Sequence, residues 1–386
     1  MPTADDPHAG LREGVRAVCR RFPEGYWREL DAQGAYPAAF VEAMTEAGYL
    51  AALIPREYGG LGLGIDEASV VLEEINRAGG NAQPAHAQVY TMGTLLRHGS
   101  EAQKERWLPR IASGDIRLQA FAVTEPEAGT DTTSLSTMAR HDGDGYLIDG
   151  RKIYISRVLQ SDFMILLART TPRAEVQRRS DGLSVFFVDL QAAIGHGLDV
   201  RPLRVMINNA TNELVFDGLR VDADCLIGTE GEGFRYILDG MNAERILIAA
   251  ECVGNGRWFT EHATQRARER EVFGRPIGAN QGVQFPIARA HIDIEAADLM
   301  RAEAARRFDA GLPCGAQANM ALLLAADAAW QAANTAIQTF GGYGYDAEYD
   351  VERKFRETRL FQIAPVSTNL ILAHVAQHVL GLPRSF

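Results

Sequence analysis

Residues 121–131 read Phe121-Ala-Val-Thr-Glu-Pro-Glu-Ala-Gly-Thr130-Asp131, and they mark the place where a strand gives way to a loop. The first residues are aromatic and β-branched, as strands favour, whereas the later ones add a proline, a glycine and hydroxyls, as turns favour. Working outward, LQAFAVT, GYLIDGRKIYISRV, FMILLART, LSVFFVDL and TNELVFDGLRVD are short runs of the same kind, separated in part by DGDG at 142–145 and SDG at 180–182. Most alternate with period two, which predicts an antiparallel sheet or barrel over 116–228. A Rossmann domain would interleave helices with its strands, and no helical period interrupts these runs.

On both sides the period changes to 3.6. VEAMTEAGYLAALI, DEASVVLEEINRAGG and EAQKERWLPRIASG predict a helical domain over 1–115, with glycines where helices stop. IPREYGGLGLG between them is a glycine-rich loop with no strand before it, so it lacks the setting of a phosphate-binding turn. From 229 to 386 the helices lengthen. They comprise 233–270, where Gly240, Gly254 and Gly256 weaken the pattern, then 282–311, 314–342 and a last helix near TNLILAHVAQHVLG. Long helices with short connections predict a four-helix bundle. The expected class is therefore α+β: an N-terminal helical domain, a middle antiparallel β-barrel and a C-terminal bundle.

Apolar residues make up 46% and charged residues 23% of the 386, which excludes a disordered or fibrous chain. The net charge of −11 argues against nucleic acid or an anionic membrane as the main partner. Cys19, Cys225, Cys252 and Cys314 are scattered, with neither a CxxC pair nor a His/Cys metal spacing, so a reduced intracellular protein is expected. MPTADDPHAG is acidic where a signal peptide is basic and then apolar. With no apolar run of about 18 residues, a cytoplasmic protein with no membrane span is expected.

The 121–131 stretch resembles the signature of the acyl-CoA dehydrogenase family. Other ordered matches are IPREYGGLGL, GSEAQKERWLPRIASG, Arg151-Lys-Ile-Tyr154-Ile-Ser156, Arg270-Glu-Val-Phe273-Gly-Arg-Pro-Ile with Gln281, and Gln338-Thr-Phe-Gly-Gly342-Tyr-Gly-Tyr. The resemblance spans nearly the whole chain. It implies FAD, held between barrel and bundle near a subunit interface, with Phe121, Val123, Thr124 and Thr130 covering the isoalloxazine and Tyr154 and Ser156 on its other side. An aromatic plane with hydroxyls suits a flat heteroaromatic that has polar edges. Arg270, with Phe273 and Gln281, would serve the flavin of a neighbouring subunit, a guanidinium fork fitting its pyrophosphate. Gln338 and Gly342, and Ser367 and Asn369 in place of a threonine and a glutamine, complete the implied FAD set. A homotetramer, an acyl-CoA substrate and an electron-transferring flavoprotein as partner are implied as well.

The family removes the substrate α-proton with a carboxylate while the β-hydrogen leaves as hydride. Medium-chain members carry that glutamate near the C-terminus, and the matching stretch here is Phe361-Gln-Ile-Ala-Pro365-Val-Ser367, whose proline takes no proton. Another subgroup, with isovaleryl-CoA and long-chain dehydrogenases, places it on an earlier helix before an arginine. Met241-Asn242-Ala-Glu244-Arg245 matches that pattern. Glu244 shares a helix face with Met241 and Ile248, and an apolar pocket raises a carboxyl toward the range a general base needs. Thr130, Asn242 and Arg245 are the implied substrate contacts. Two departures leave the acyl group open: Arg157 where an asparagine is usual, and Asn208-Asn209-Ala-Thr211-Asn212-Glu213 where the family commonly shows Arg-x-Ser-x-Thr.

Elsewhere His374 and His378 stand four apart without a third ligand, so no metal is expected. Asp346, Glu348 and Asp350 read as a solvated rim. The alternatives are the same fold acting on a carrier-bound acyl group, as an oxidase or in the reductive direction, or a non-catalytic subunit of a heteromeric dehydrogenase.

Overall fold

A computed structural model describes residues 6–384, so the first five residues of the polar N-terminus lie outside it. The helices α1 (Ala9–Cys19), α2 (Glu24–Gln33), α3 (Ala38–Glu46), α4 (Ile65–Arg77), α5 (Gln83–His98) and α6 (Glu101–Ser113) come first. The strands β1 (Ala120–Ala122), β2 (Met138–Asp142), β3 (Gly145–Ser156), β4 (Phe163–Arg169) and β5 (Leu183–Asp189) follow. After a short helix α7 (Leu190–Ala193) come β6 (Leu198–Pro202), β7 (Thr211–Asp222) and β8 (Leu226–Ile227). The chain then runs through α8 (Gly233–Glu269), β9 (Glu271–Val272), β10 (Arg275–Pro276), α9 (Gln281–Asp309), α10 (Gly315–Phe340), α11 (Val351–Arg359) and α12 (Thr368–His374). The helical, sheet and helical regions follow the expected order. By packing, the described residues form two compact units, one of 34–63 and 83–241, the other of 6–33, 64–82 and 242–384.

The first unit is built on one sheet, with strand order β6-β7-β3-β2-β4-β5-β8 and β1 beside β4. The pairing is mixed, where alternation alone suggested antiparallel throughout. β1 and β2 both run parallel to β4, because some forty residues carry the chain from β1 around the β2–β3 hairpin before β4 begins. Alternation still assigns the faces of β4 and β5. Ile165, Leu167, Val185 and Phe187 pack with Met92 and Leu95 of α5 and Leu108 and Ile111 of α6. Met164, Leu166, Phe186 and Val188 pack with Ala139, Ile148, Leu214 and Phe216 of the other strands. Buried on both faces, the two strands read as near-continuous apolar runs. α6 is delimited by local chemistry: Ser100 Oγ accepts from Gln103 N at 3.2 Å, the Gln103 side chain accepts from Ser100 N at 2.9 Å, and Gly114 closes the helix at φ 86°.

In the second unit, the glycines that weaken α8 on propensity are required by packing. A Cβ on Gly254 would lie 2.3 Å from the Glu73 carbonyl oxygen of α4, and one on Gly256 would lie 2.0 Å from Ile294 Cδ1 of α9. Trp258, Phe259, Ala290, Ala332, Ala336 and Val351 form the core where α8, α9, α10 and α11 meet. Asp346 and Glu348 are exposed as expected, but Asp350 is fully buried. It accepts from Arg28 Nη2 at 2.7 Å and Arg353 Nε at 2.8 Å, while Arg353 and Lys354 donate to the carbonyls of Gly79 and Gly80 at 2.9 and 2.8 Å. The supposed rim thus ends in a buried anchor at the start of α11.

Candidate active site

The 121–131 stretch leaves β1 and is pinned from below. Lys152, inward-facing on β3 and fully buried, donates through Nζ to the Val123 carbonyl and to Glu125 Oε1, both at 2.9 Å. Glu125 accepts in turn from Ser136 N, Ser136 Oγ and Thr137 N at 2.6–2.9 Å. Burial pushes Lys152 down to about 8, against the opposing pull of Glu125. For Glu125, burial acts upward, but the Lys152 charge and the hydrogen bonds outweigh it and hold the carboxyl below the usual range. Ile153 N donates to the Thr124 carbonyl at 2.9 Å, which fastens the loop beside the end of β3.

At that point β3 bulges between Lys152 and Ile155, and Tyr154 takes φ 61° with 63% of its surface exposed. Left-handed backbone is costly for a bulky residue, and here it turns an aromatic ring outward. Phe121 is half-buried with its ring on Tyr90 at 4.8 Å, and Thr130 is exposed. Asn209 Nδ2 donates to Ser156 Oγ at 3.2 Å, while Asn209 Oδ1 accepts from the buried Arg157. The two departures from the family pattern are therefore each other's partners. Asn208 and Asn212 also hold backbone, donating to the carbonyls of Ala35 and Ala210 at 2.8 and 2.7 Å.

The remaining predicted residues belong to the other unit. Glu244 is 8% exposed on α8, beside buried Ala243, Ile246 and Leu247, and Arg245 Nη1 donates to Asn242 Oδ1 at 3.1 Å. Arg270 and Gln281 are exposed at either end of the β9–β10 hairpin, and Phe273 at its tip is 100% exposed with φ 53°. Arg266, one turn before Arg270, lies 4.6 Å over the Tyr343 ring, which brings exposed Gln338 and Gly342 to the same end of the bundle. Ser367 is the N-cap of α12, accepting from Leu370 N at 3.4 Å, and Asn369 is exposed in its first turn.

Three family models match consecutive parts of the chain: the acyl-CoA dehydrogenase N-terminal domain over 5–115, the middle domain over 120–219 and the C-terminal domain over 231–380. The chain belongs to the acyl-CoA dehydrogenase family. It is 34% identical over 381 residues to acyl-CoA dehydrogenase fadE12 of Mycobacterium bovis, covering 97% of this chain and 96% of that one. Butyryl-CoA dehydrogenase from Megasphaera elsdenii superposes with a TM-score of 0.90 at 27% identity, covering 98% of this chain and 100% of that one. A chain from the structural work on the electron-transferring flavoprotein of Acidaminococcus fermentans gives 0.91 at 30% identity, covering 98% and 99%.

As a member of this family the chain is an oxidoreductase acting on acyl-CoA, with FAD as cofactor. The residues around the 121–131 loop suit that group in chemistry: an outward aromatic ring at Tyr154 and hydroxyls at Thr124, Thr130 and Ser156. The motif reading assigned no part to Lys152 and Glu125, which hold the 121–131 loop from below. The inward parity of Lys152, shared with Tyr146 and Ile148, is the signal that identifies it.

Proposed function

We propose that this chain desaturates an acyl-CoA thioester at its α,β bond to a trans-2-enoyl-CoA and passes the electrons to an electron-transferring flavoprotein. Glu244 takes the α-proton as its carboxylate becomes a carboxylic acid. Bound FAD supplies the acceptor for the hydride that leaves the β-carbon. The burial of Glu244 on α8 directly before Arg245, with Pro365 at the alternative position, is the observation that carries this assignment. Phe121, Val123, Thr124, Thr130, Tyr154 and Ser156 would hold and cover the flavin, with Gln338, Gly342, Ser367 and Asn369 completing the set. Thr130, Asn242 and Arg245 would orient the thioester.

Arg270, Phe273 and Gln281 would serve a neighbouring subunit in a homotetramer, a dimer of dimers. Their exposure around a hairpin that this chain's own core does not use supports that role. The division into 1–115, 116–228 and 229–386 belongs to the same reading. So does a cytoplasmic setting, supported by four cysteines that are all free thiols. Among the described residues no helix is long and apolar enough to cross a membrane.

The test is Glu244→Gln. The variant is expected to retain stoichiometric FAD while losing reduction of the flavin by substrate. Reduction at the wild-type rate would remove Glu244 from the mechanism.

A further inference from the structure

Arg169 ends β4 at the same parity as Phe163, Ile165 and Leu167, on the face that is otherwise apolar. Its side chain is fully buried and, among the described residues, no carboxylate reaches it as a salt bridge. The guanidinium donates instead to three main-chain carbonyls: Nε to Leu135 at 3.3 Å, Nη1 to Asp181 at 3.1 Å and Nη2 to Thr133 at 2.9 Å. Burial and the Arg173 charge hold it below the ordinary arginine range, with Glu125 opposing. Burying a charge without a counter-charge is costly, and an apolar residue at this parity would simply continue the core. What the guanidinium adds is a rigid planar fork that grips two connections at once, one from β1 to β2 and one from β4 to β5.

The grip falls on the far end of the 121–131 loop. Thr132–Ser134 form one turn of 3₁₀ helix, and Thr132 Oγ1 donates to the Gly129 carbonyl at 3.2 Å. The Asp131 carboxylate accepts from Thr133 Oγ1 at 2.6 Å and from Ser134 Oγ, and the Asp131 carbonyl accepts from Ser134 N at 3.0 Å. Thr130 thus stands between two residues tied to a turn whose own carbonyls Arg169 holds. Among the described residues nothing bonds the exposed Thr130 hydroxyl directly, so its place is set through this turn. The backbone of Arg169 strengthens the anchor: its N donates to the Thr137 carbonyl at 2.8 Å, and Thr137 N donates to Glu125 at 2.9 Å. Lys152 and Glu125 hold the start of the loop, and Arg169 holds its end.

We propose that Arg169 is a positioning residue for the flavin reaction, fixing the 131–135 turn so that the Thr130 hydroxyl meets FAD. The proposal rests on the reading of Thr130 as a flavin contact and names the residue that sets it. A contact held about 1 Å out of place loses much of its effect, so the support matters as much as the contacting group.

The test is the rate of FAD release from the purified holoenzyme, followed as flavin fluorescence after dilution. Wild type, Thr130→Val, Arg169→Gln and the double variant are compared, with circular dichroism and the thermal midpoint reporting the fold. Each single variant is expected to release FAD about tenfold faster, the loss of one hydrogen bond. The double variant should release it about as fast as either single one, whereas independent effects would multiply to about a hundredfold. A role confined to the core of the sheet would lower the thermal midpoint and leave FAD release unchanged. That result in Arg169→Gln, or a multiplied effect in the double variant, overturns the proposal. Arg169→Lys keeps the charge without the three-way fork, and it replaces Arg169→Gln in the same cycle should the latter not fold. It too is expected to release FAD faster, and release at the wild-type rate overturns the proposal. Unchanged release from Thr130→Val removes the Thr130 assignment itself, and this inference with it.

Discussion

At the scale of single residues, the loop over the proposed flavin site is held by an ion pair that alternation predicts only in parity. Removing one member of a buried pair leaves an uncompensated charge, which costs about 3–5 kcal/mol. Lys152→Met should therefore lower the unfolding free energy by that order, and Lys152→Met with Glu125→Gln should recover much of it. Denaturant unfolding of Lys152→Met, Glu125→Gln and the double variant against wild type measures this coupling, and additive losses would contradict it. The pH dependence follows from Glu125, whose carboxyl lies below the usual range in the folded chain. Unfolding then takes up a proton as the pH falls below about 4.3. The stability that Glu125 contributes at neutral pH is lost through that interval, and Glu125→Gln should flatten the acid limb of a stability–pH curve. Arg157 and the asparagines at 208–212 were legible as departures from a pattern. That Arg157 and Asn209 bond to each other was not, because more than fifty residues separate them in sequence.

At the scale of elements, periodicity located α3, α4, α6, α8, α9, α10 and α12 and the apolar strands, but not α1, α2, α5, α11, β2 or β6. β2 is Met-Ala-Arg-His-Asp, whose outer residues are polar, and α11 buries Arg353, Lys354, Glu357 and Thr358 rather than an apolar stripe. These elements are specified by partners elsewhere in the chain, as is the glycine content of α8. Gly254→Ala should destabilise by about 1–3 kcal/mol, since its Cβ would strike a backbone carbonyl of α4. Gly256→Ala should cost less, since the atom it meets is the tip of the Ile294 side chain. Thermal unfolding of both orders them, and the reverse order would refute the packing argument.

At the scale of the whole molecule, the order of helical, sheet and helical regions was legible because each carries its own period. The proposed cofactor residues were legible through motifs that keep their spacing, although they fall in two compact units. The exposed hairpin bearing Arg270 and Phe273 makes assembly and cofactor retention a joint prediction. Light scattering of the yellow protein should give four chains. Arg270→Gln should fold, by circular dichroism, yet purify with markedly less flavin. Full flavin retention in that variant would detach the hairpin from cofactor binding.

The desaturation itself is tested most directly by anaerobic titration of the purified protein with straight, branched, aryl and dicarboxylic acyl-CoAs while the visible flavin band is followed. Bleaching by at least one thioester, with the matching trans-2-enoyl-CoA as product, is the predicted result. A flavin that stays oxidised with every member of the panel would contradict it.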